Sequence, residues 1–296
     1  MRNLSPDFVT AGALPGSGLP GSSDTQYRTV IRPQRGWLAL NCRELWRYRE
    51  LLGFLTWRDV KIRYKQTVLG FLWAFLQPFV KMVVFTLVFG RLAGLDSEGA
   101  PYPIFVFAGL LPWQFFSEAL HRSSESVVGS AGVITKVYFP RLIVPLAAVA
   151  GCLIDFCISF LILVGLMVYY GVAPSLHLLA VAPLAAGTVL AALGIGTLIA
   201  ALNVAYRDFR YMIPFLIQIW MFLTPVVYSV SVVPDGWQWL LALNPMTGIV
   251  DGFRSAVLGK PFDMQNLIIS GAVCMAMVLL SVAYFRRIER QFADII

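Results

Sequence analysis

The residues of this chain that could do covalent chemistry are few, and they stand apart. Its 296 residues include two histidines, His121 and His177, and four cysteines, Cys42, Cys152, Cys157 and Cys274. No HExxH motif occurs and no cysteine spacing fits a zinc site or a disulfide framework. There is no GxxxxGK[ST] loop to cradle a nucleotide. Asp59 and Glu118 are the carboxylates that acid–base work near a membrane surface would use, and neither has a convincing partner in the sequence. Asp155 lies inside a long apolar run, an expensive place for a carboxylate. It reads as a structural ion pair with another helix, with a subunit interface or a proton path as alternatives. Lys81 stands in an apolar run as well, and the sequence leaves its role open.

Two groups of residues could bind rather than react. The first is a mixture of bases and aromatics over residues 37–66. It contains Trp46, Trp57, Arg58, Lys61, Arg63, Tyr64 and Lys65, with Leu51, Leu52, Phe54, Leu55, Val60 and Ile62 between them. The segment is too charged to span a membrane. It suits an amphipathic helix lying in the interface, with rings at headgroup level and bases toward lipid phosphates. The second group is aromatic. Phe71, Phe75 and Phe79 recur every four residues and share one helix face, with Trp73 roughly opposite. Phe215, Trp220, Phe222 and Tyr228 form a later set. Such rings stack on the apolar faces of sugars, and they serve equally as helix packing or an interfacial belt.

The elements that must position these residues are membrane helices. Hydrophobic residues make up 58% of the chain and charged residues 13%, whereas a soluble domain carries about 25% charged. Apolar runs predict six transmembrane helices at about 68–89, 102–120, 142–170, 178–204, 211–233 and 267–285. Pro103 and Pro112 suggest that the second is broken or partly unwound. A polar connection fills 121–141. Residues 234–264 are interrupted at Asn244-Pro245 and read as two short outer-side re-entrant or gate helices. Residues 1–35, rich in Gly, Ser and Pro and without a signal-peptide pattern, read as a flexible cytoplasmic tail. The fold expected is thus an all-α polytopic membrane protein: tail 1–35, interface helix region 36–66, transmembrane domain 67–296. Of the 23 Lys and Arg residues, all but Lys81, Arg91, Arg254 and Lys260 fall on the side shared by both termini. The excess of bases places both termini in the cytoplasm.

Two stretches carry a family resemblance. One is Trp57-Arg58-Asp59 followed by Arg63-Tyr64-Lys65-Gln66-Thr67-Val68-Leu69-Gly70-Phe71-Leu72-Trp73-Ala74-Phe75-Leu76-Gln77-Pro78. The other is Leu243-Asn244-Pro245-Met246 followed by Phe253-Arg254. Both resemble the transmembrane subunits of ABC-2 type polysaccharide exporters, the permeases for O-antigen, capsule and teichoic acid, and the resemblance runs from about residue 37 to the end. It implies a homodimer in the bacterial inner membrane with two copies of a separate ATPase. ATP and Mg would sit on that partner, with no cofactor, metal or catalytic site in this chain and no role for nucleic acid. It implies a channel for an undecaprenyl-pyrophosphate-linked polymer, most of all an O-antigen. By the same resemblance Arg58, Lys61, Arg63 and Lys65 would face the carrier's pyrophosphate, where charge-assisted bonds to phosphate oxygens hold it. The aromatics of spans one and five would line the channel. Gly129, Val133, Lys136 and Tyr138 would contact the ATPase, and Trp237, Asn244, Pro245 and Phe253 would form the outer gate. Competing readings are an ABC-2 exporter of drugs or simple lipids, a membrane-embedded glycosyl- or acyltransferase using Asp59 and Glu118, and a proton-driven carrier using Asp155.

Overall fold

A computed structural model describes residues 42–65, 70–206 and 208–289. The tail expected over 1–35, residues 66–69 of the first motif, Arg207, Arg290 and the side chain of Phe71 lie outside the described residues. Among those described, every regular element is helical. A short α1 (Cys42–Arg47) leads into α2 (Arg49–Lys65). Then come α3 (Gly70–Phe85), continued by a π-helical stretch (Thr86–Leu92), α4 (Tyr102–Gly129), α5 (Ala131–Ile134) and α6 (Ile143–Tyr169). The 3-10 turn Leu176–Ala180 opens α7 (Val181–Ala205). The chain continues through α8 (Phe209–Leu223), α9 (Asp235–Ala242), α10 (Pro245–Leu258) and α11 (Met264–Glu289).

Among the described residues five helices are long and apolar enough to cross a membrane: Leu72–Leu92, Tyr102–Gly129, Ile143–Tyr169, Leu176–Ala205 and Met264–Ile288. The chain is an all-α, multi-pass membrane protein. The expected fifth span over 211–233 is shorter than the sequence suggested. Its helix α8 stops at Leu223, where Thr224 turns to extended backbone (φ −100°, ψ 136°). The cause is local. Pro225 disfavours the helical region for the residue before it, and the Thr224 hydroxyl bonds back to the Trp220 carbonyl at 2.9 Å. Fifteen residues reach about 22 Å, less than the ~30 Å hydrocarbon core.

The second span departs in the other direction. It neither breaks at its prolines nor ends near Leu120; α4 runs unbroken to Gly129. Pro103 sits in the first turn, where its missing N–H costs nothing. Pro112 is enclosed by packing, with Phe105, Phe107, Trp113 and Phe116 all buried around it. The hydroxyls of the polar residues that follow are satisfied within the helix, Ser124 donating to the His121 carbonyl at 2.6 Å and Ser126 to the Ser123 carbonyl at 2.7 Å. They also face a partner. A Cβ on Gly196 of α7 would stand 2.7 Å from the Ser123 side chain, and Asn203 donates to the Ser124 carbonyl at 3.1 Å. Small residues let membrane helices approach this closely, and dispersion then holds them.

α4 is the centre of the bundle. It packs against α3, α6, α7, α8 and α10, and most of its residues are buried, whereas almost none of α3 is. Its aromatic residues join Phe253 of α10 in the core through Phe156 of α6, whose ring lies edge-on to Phe115 at 5.4 Å and to Phe253 at 6.2 Å. A second core seats α2 through Leu55 beside Val127, Phe139, Ala147, Val204 and Phe285. Phe54, Trp57 and Ile62 of α2 remain exposed, as do Lys61 and Lys65.

Candidate functional site

Where α2, α3, α4 and α6 meet they line an open-sided cavity of about 460 Å³. The end of α2 contributes Arg63 and Tyr64, and α6 contributes Cys152, Asp155 and Ser159. From α3 come Trp73, Gln77 and Lys81, and from α4 Gln114, Glu118 and Arg122. Helical spacing explains the grouping. Gln114, Glu118 and Arg122 are four apart, as are Trp73, Gln77 and Lys81, so each set lies along one face. An otherwise apolar span thereby presents a polar stripe inward.

Asp155 is the hub of the cavity. The Arg63 guanidinium donates to its carboxylate through Nη1, and the Tyr64 hydroxyl donates to its other oxygen. Burial pushes the Tyr64 hydroxyl above its ordinary pKa, against the pull of Arg63 and Arg122, so at neutral pH it keeps the proton it donates. Of the readings open for Asp155, the structure displays the ion pair, to a helix more than ninety residues earlier. Arg122 and Glu118 pair along α4 at 2.5 Å, with the acid one turn N-terminal to the base, the favoured order. Lys81 makes no hydrogen bond or ion pair among the described residues.

The other bases predicted for the entrance stand apart from this cavity. Arg58 is held by its neighbour Asp59 at 2.8 Å, while Lys61 and Lys65 are exposed. The aromatic residues divide as well. Phe75 and Phe79 stack with ring centroids 6.3 Å apart and, like Trp73, Phe215 and Phe222, remain exposed. Trp220 and Tyr228 are half-buried and occupied. The Trp220 ring packs edge-on to Phe116 at 5.2 Å, and the Tyr228 hydroxyl donates to the Phe222 carbonyl at 3.2 Å. At the α4–α5 corner Gly129, Lys136 and Tyr138 are exposed, while Val133 packs against the second core.

The Asn244-Pro245 pair is a joint. Asn244 caps α10, its Oδ1 accepting from the Met246 N–H at 3.0 Å, and Pro245 takes the first helical position, where a fixed φ is an advantage. The same Oδ1 accepts from Trp220 Nε1 at 3.1 Å, and Nδ2 donates to Thr224 Oγ1 at 2.8 Å. One side chain thus ties the start of α10 to the end of α8. Trp237 is exposed, and Phe253 is fully buried in the core.

Arg254 plays a part that sequence reading did not assign. It is 3% exposed. Its guanidinium lies 4.0 Å over the Phe105 ring and donates to the Tyr228 carbonyl at 2.9 Å and the Val226 carbonyl at 2.5 Å. Gly109 makes room for it; a Cβ there would come within 2.8 Å of the Val226 carbonyl and 3.0 Å of Arg254 Nη2. Nearby, Glu98 takes Lys260 Nζ at 2.7 Å and the Ser229 hydroxyl. Burial raises the Glu98 carboxyl, but those two bonds and the charges of Lys260 and Arg254 outweigh it and hold it below its ordinary value.

Comparison with known proteins agrees with this architecture. The profile of the ABC-2 type transporter membrane domain matches residues 50–258, from α2 to the end of α10. The O-antigen export system permease protein RfbA of Myxococcus xanthus is 31% identical over 255 residues, which cover 85% of this chain and 97% of that protein. An O-antigen export permease RfbA of Klebsiella pneumoniae is 26% identical over 248 residues, 83% of this chain and 95% of its own length. The polysialic acid transport protein KpsM of Escherichia coli is 22% identical over 209 residues, 68% and 78% of the two chains. The match spans the helices that line the cavity, the Asn244 joint and the buried Arg254, and the chain belongs to the ABC-2 type transporter family.

Proposed function

We propose that this chain is the channel-forming permease subunit of an ATP-driven exporter that carries a lipid-linked polysaccharide, of O-antigen type, from the cytoplasm across the bacterial inner membrane. The observation that carries this reading is the similarity to O-antigen export permeases along nearly their whole length. The exposed aromatic faces of α3 and α8 support it. Rings spaced along a path give a sugar chain many weak contacts and no tight one, which suits a polymer that must slide.

In this reading two copies of the chain join along their exposed helices, with both termini in the cytoplasm. A separate ATPase docks on each at the corner formed by Gly129, Val133, Lys136 and Tyr138. ATP and Mg belong to that partner, whose closure moves the corner and separates the spans. The carrier is an undecaprenyl pyrophosphate, met first by the bases of α2, with Arg63 foremost. α8 makes the sixth crossing with the extended residues that follow it, and α9 and α10 close the outer end. No bond is made or broken in this chain.

Deletion of the chain in its own bacterium tests the reading. Polymer accumulating on its lipid carrier inside the cell, restored to the surface by the wild-type chain, is the expected result. Normal surface polymer in the deletion strain overturns it. Lys136→Glu with Tyr138→Ala should also reduce co-purification of the ATPase without lowering the amount of permease in the membrane.

A further inference from the structure

α7 and α11 run side by side through the membrane but do not touch along their whole length. At one level they meet closely. A Cβ on Gly194 would stand 3.0 Å from the Val278 backbone nitrogen, and just beyond it the Thr197 and Ser281 hydroxyls bond at 2.8 Å. Nearer the start of both helices, α10 stands between them. A Cβ on Gly252 of α10 would come within 2.9 Å of Leu184 and 3.1 Å of Leu267. The Gly248 N–H, also on α10, donates to Ser270 Oγ at 3.0 Å. Between these two fixed levels α7 and α11 diverge around an open-sided groove of about 180 Å³.

The walls of the groove are Leu184, Gly187 and Leu190 of α7 and Leu267, Gly271 and Met275 of α11, and Ile249 of α10 also lines it. Two glycines keep it open. A Cβ at Gly271 would meet nothing within 4 Å, and one at Gly187 would meet only Ile249, at 3.7 Å. Among the described residues no side-chain nitrogen or oxygen lines the space, so a water there would find no side chain to bond. Left empty, its lining would forfeit dispersion contacts on the open side. Pinned at both levels, the helices cannot close over it, and a space that cannot collapse is the costly kind.

The dimensions fit one lipid tail. The groove runs from Pro183 to Leu190 along α7 and from Leu267 to Met275 along α11, about 10–12 Å at the helical rise. It ends near the middle of both spans, Leu176–Ala205 and Met264–Ile288, where the tails of one leaflet also end. An apolar space of about 150 Å³ takes a benzene-sized guest, so this groove takes a run of about six methylenes. Its open side faces the bilayer. Leu190 and Met275 in its walls are exposed, and Ile268, Leu279 and Leu280 continue the same exposed apolar surface along α11. α11 packs on α7, α9 and α10, whereas the exposed aromatic faces read as channel belong to α3 and α8.

We propose that this groove holds an acyl chain of a bilayer phospholipid, from the leaflet at the α9–α10 end, as a fixed part of the packing behind α10. The tail fills the space against Ile249 and so bears on the helix whose Arg254 ties down the segment after α8. The exporter reading enters only in naming that leaflet the outer one.

Photolabelling of the purified full chain tests the site. The chain is placed in phosphatidylcholine nanodiscs doped with a phosphatidylcholine that carries a diazirine on one acyl chain, and labelled residues are mapped by mass spectrometry. Label should concentrate on residues 183–190 and 267–275, several-fold above Leu279 and Leu280, which face lipid without a groove. Gly271→Leu should lower the groove label several-fold and leave that at Leu279 and Leu280 unchanged. Its side chain enters open space, so it should unfold in detergent as wild type does. Gly187→Ala, in ordinary contact with Ile249, should give a smaller loss, and it serves if Gly271→Leu does not fold. Label spread evenly along α11, or groove label unchanged in the folded glycine variants, overturns the site. So does a photoreactive residue at position 275 that couples to a second copy of the chain and not to lipid. The labelling needs neither polymer nor ATPase, so its failure leaves the exporter reading intact. Normal surface polymer in the deletion strain would leave the groove intact.

Discussion

Replacing Arg254 by Met should release the segment that follows α8. Arg254 donates to the carbonyls of Val226 and Tyr228 and lies over Phe105. A hydrogen bond from a charged donor contributes about 1.5–3 kcal/mol, and a desolvated ring contact adds about 1–2 kcal/mol. Removing the guanidinium also removes its own burial cost, several kcal/mol by order of magnitude. It leaves two carbonyls facing a methionine, however, each at a penalty of about 1–3 kcal/mol. The net destabilisation is about 3 kcal/mol, on the order of a hundredfold in the local opening equilibrium. Arg254→Lys, which reaches one carbonyl and cannot lie flat on the ring, should lose about half of that. Hydrogen exchange by mass spectrometry on the chain in nanodiscs reads the effect as faster exchange over residues 224–233, with α6 and α11 unchanged. Exchange in this segment matching wild type in Arg254→Met would refute the assignment of Arg254 as its anchor.

The Glu98 carboxyl is held below its ordinary value of 4.5, so its bonds to Lys260 and Ser229 stabilise the fold above that pH and are lost as pH falls through the lower folded value. Glu98→Gln should therefore flatten the acid limb of a thermal unfolding profile, and an unchanged limb would count against the cluster. Gly196→Val places side-chain atoms where Ser123 lies 2.7 Å from a Cβ. It should force α4 and α7 apart and cost about 3 kcal/mol or more, visible as loss of folded protein from the membrane, whereas Gly132→Ala, which meets nothing within 4 Å, should express normally. Asn244→Ala should cost about 1 kcal/mol for the cap. It should also free the Trp220 indole from its acceptor, shifting tryptophan emission against a Trp220→Phe reference.

How far the sequence could be read depended on whether a feature was local. Hydropathy located the third and sixth spans within a few residues, since burial in lipid acts on each run separately. The end of α8 was also local, carried by Thr224 and Pro225. The extension of α4 through His121, Ser123 and Ser126 was not, because it needs Gly196 and Asn203, more than seventy residues later. The site divides in the same way. Asp155 announced itself as a carboxylate in an apolar run, and Arg63 as the base next to span one, but nothing in the linear order joined them. Arg254 was hidden because charge counting puts every arginine in water. Only the carbonyls freed where α8 unwinds, and the space above Gly109, make its burial possible.

The unbroken course of α4 has a mechanical consequence. Twenty-eight residues make a rod about 42 Å long. Its proline is locked by packing, so it offers no hinge. At one end Gly109 supports the buried arginine; farther along Glu118 and Arg122 wall the polar cavity; at the other end the rod emerges at Gly129. A load applied at that tip has no joint in which to dissipate and travels the full length. The pocket walled by Glu118 and Arg122 and the seat of the buried arginine at Gly109 therefore lie on one unhinged helix, so neither can tilt without the other.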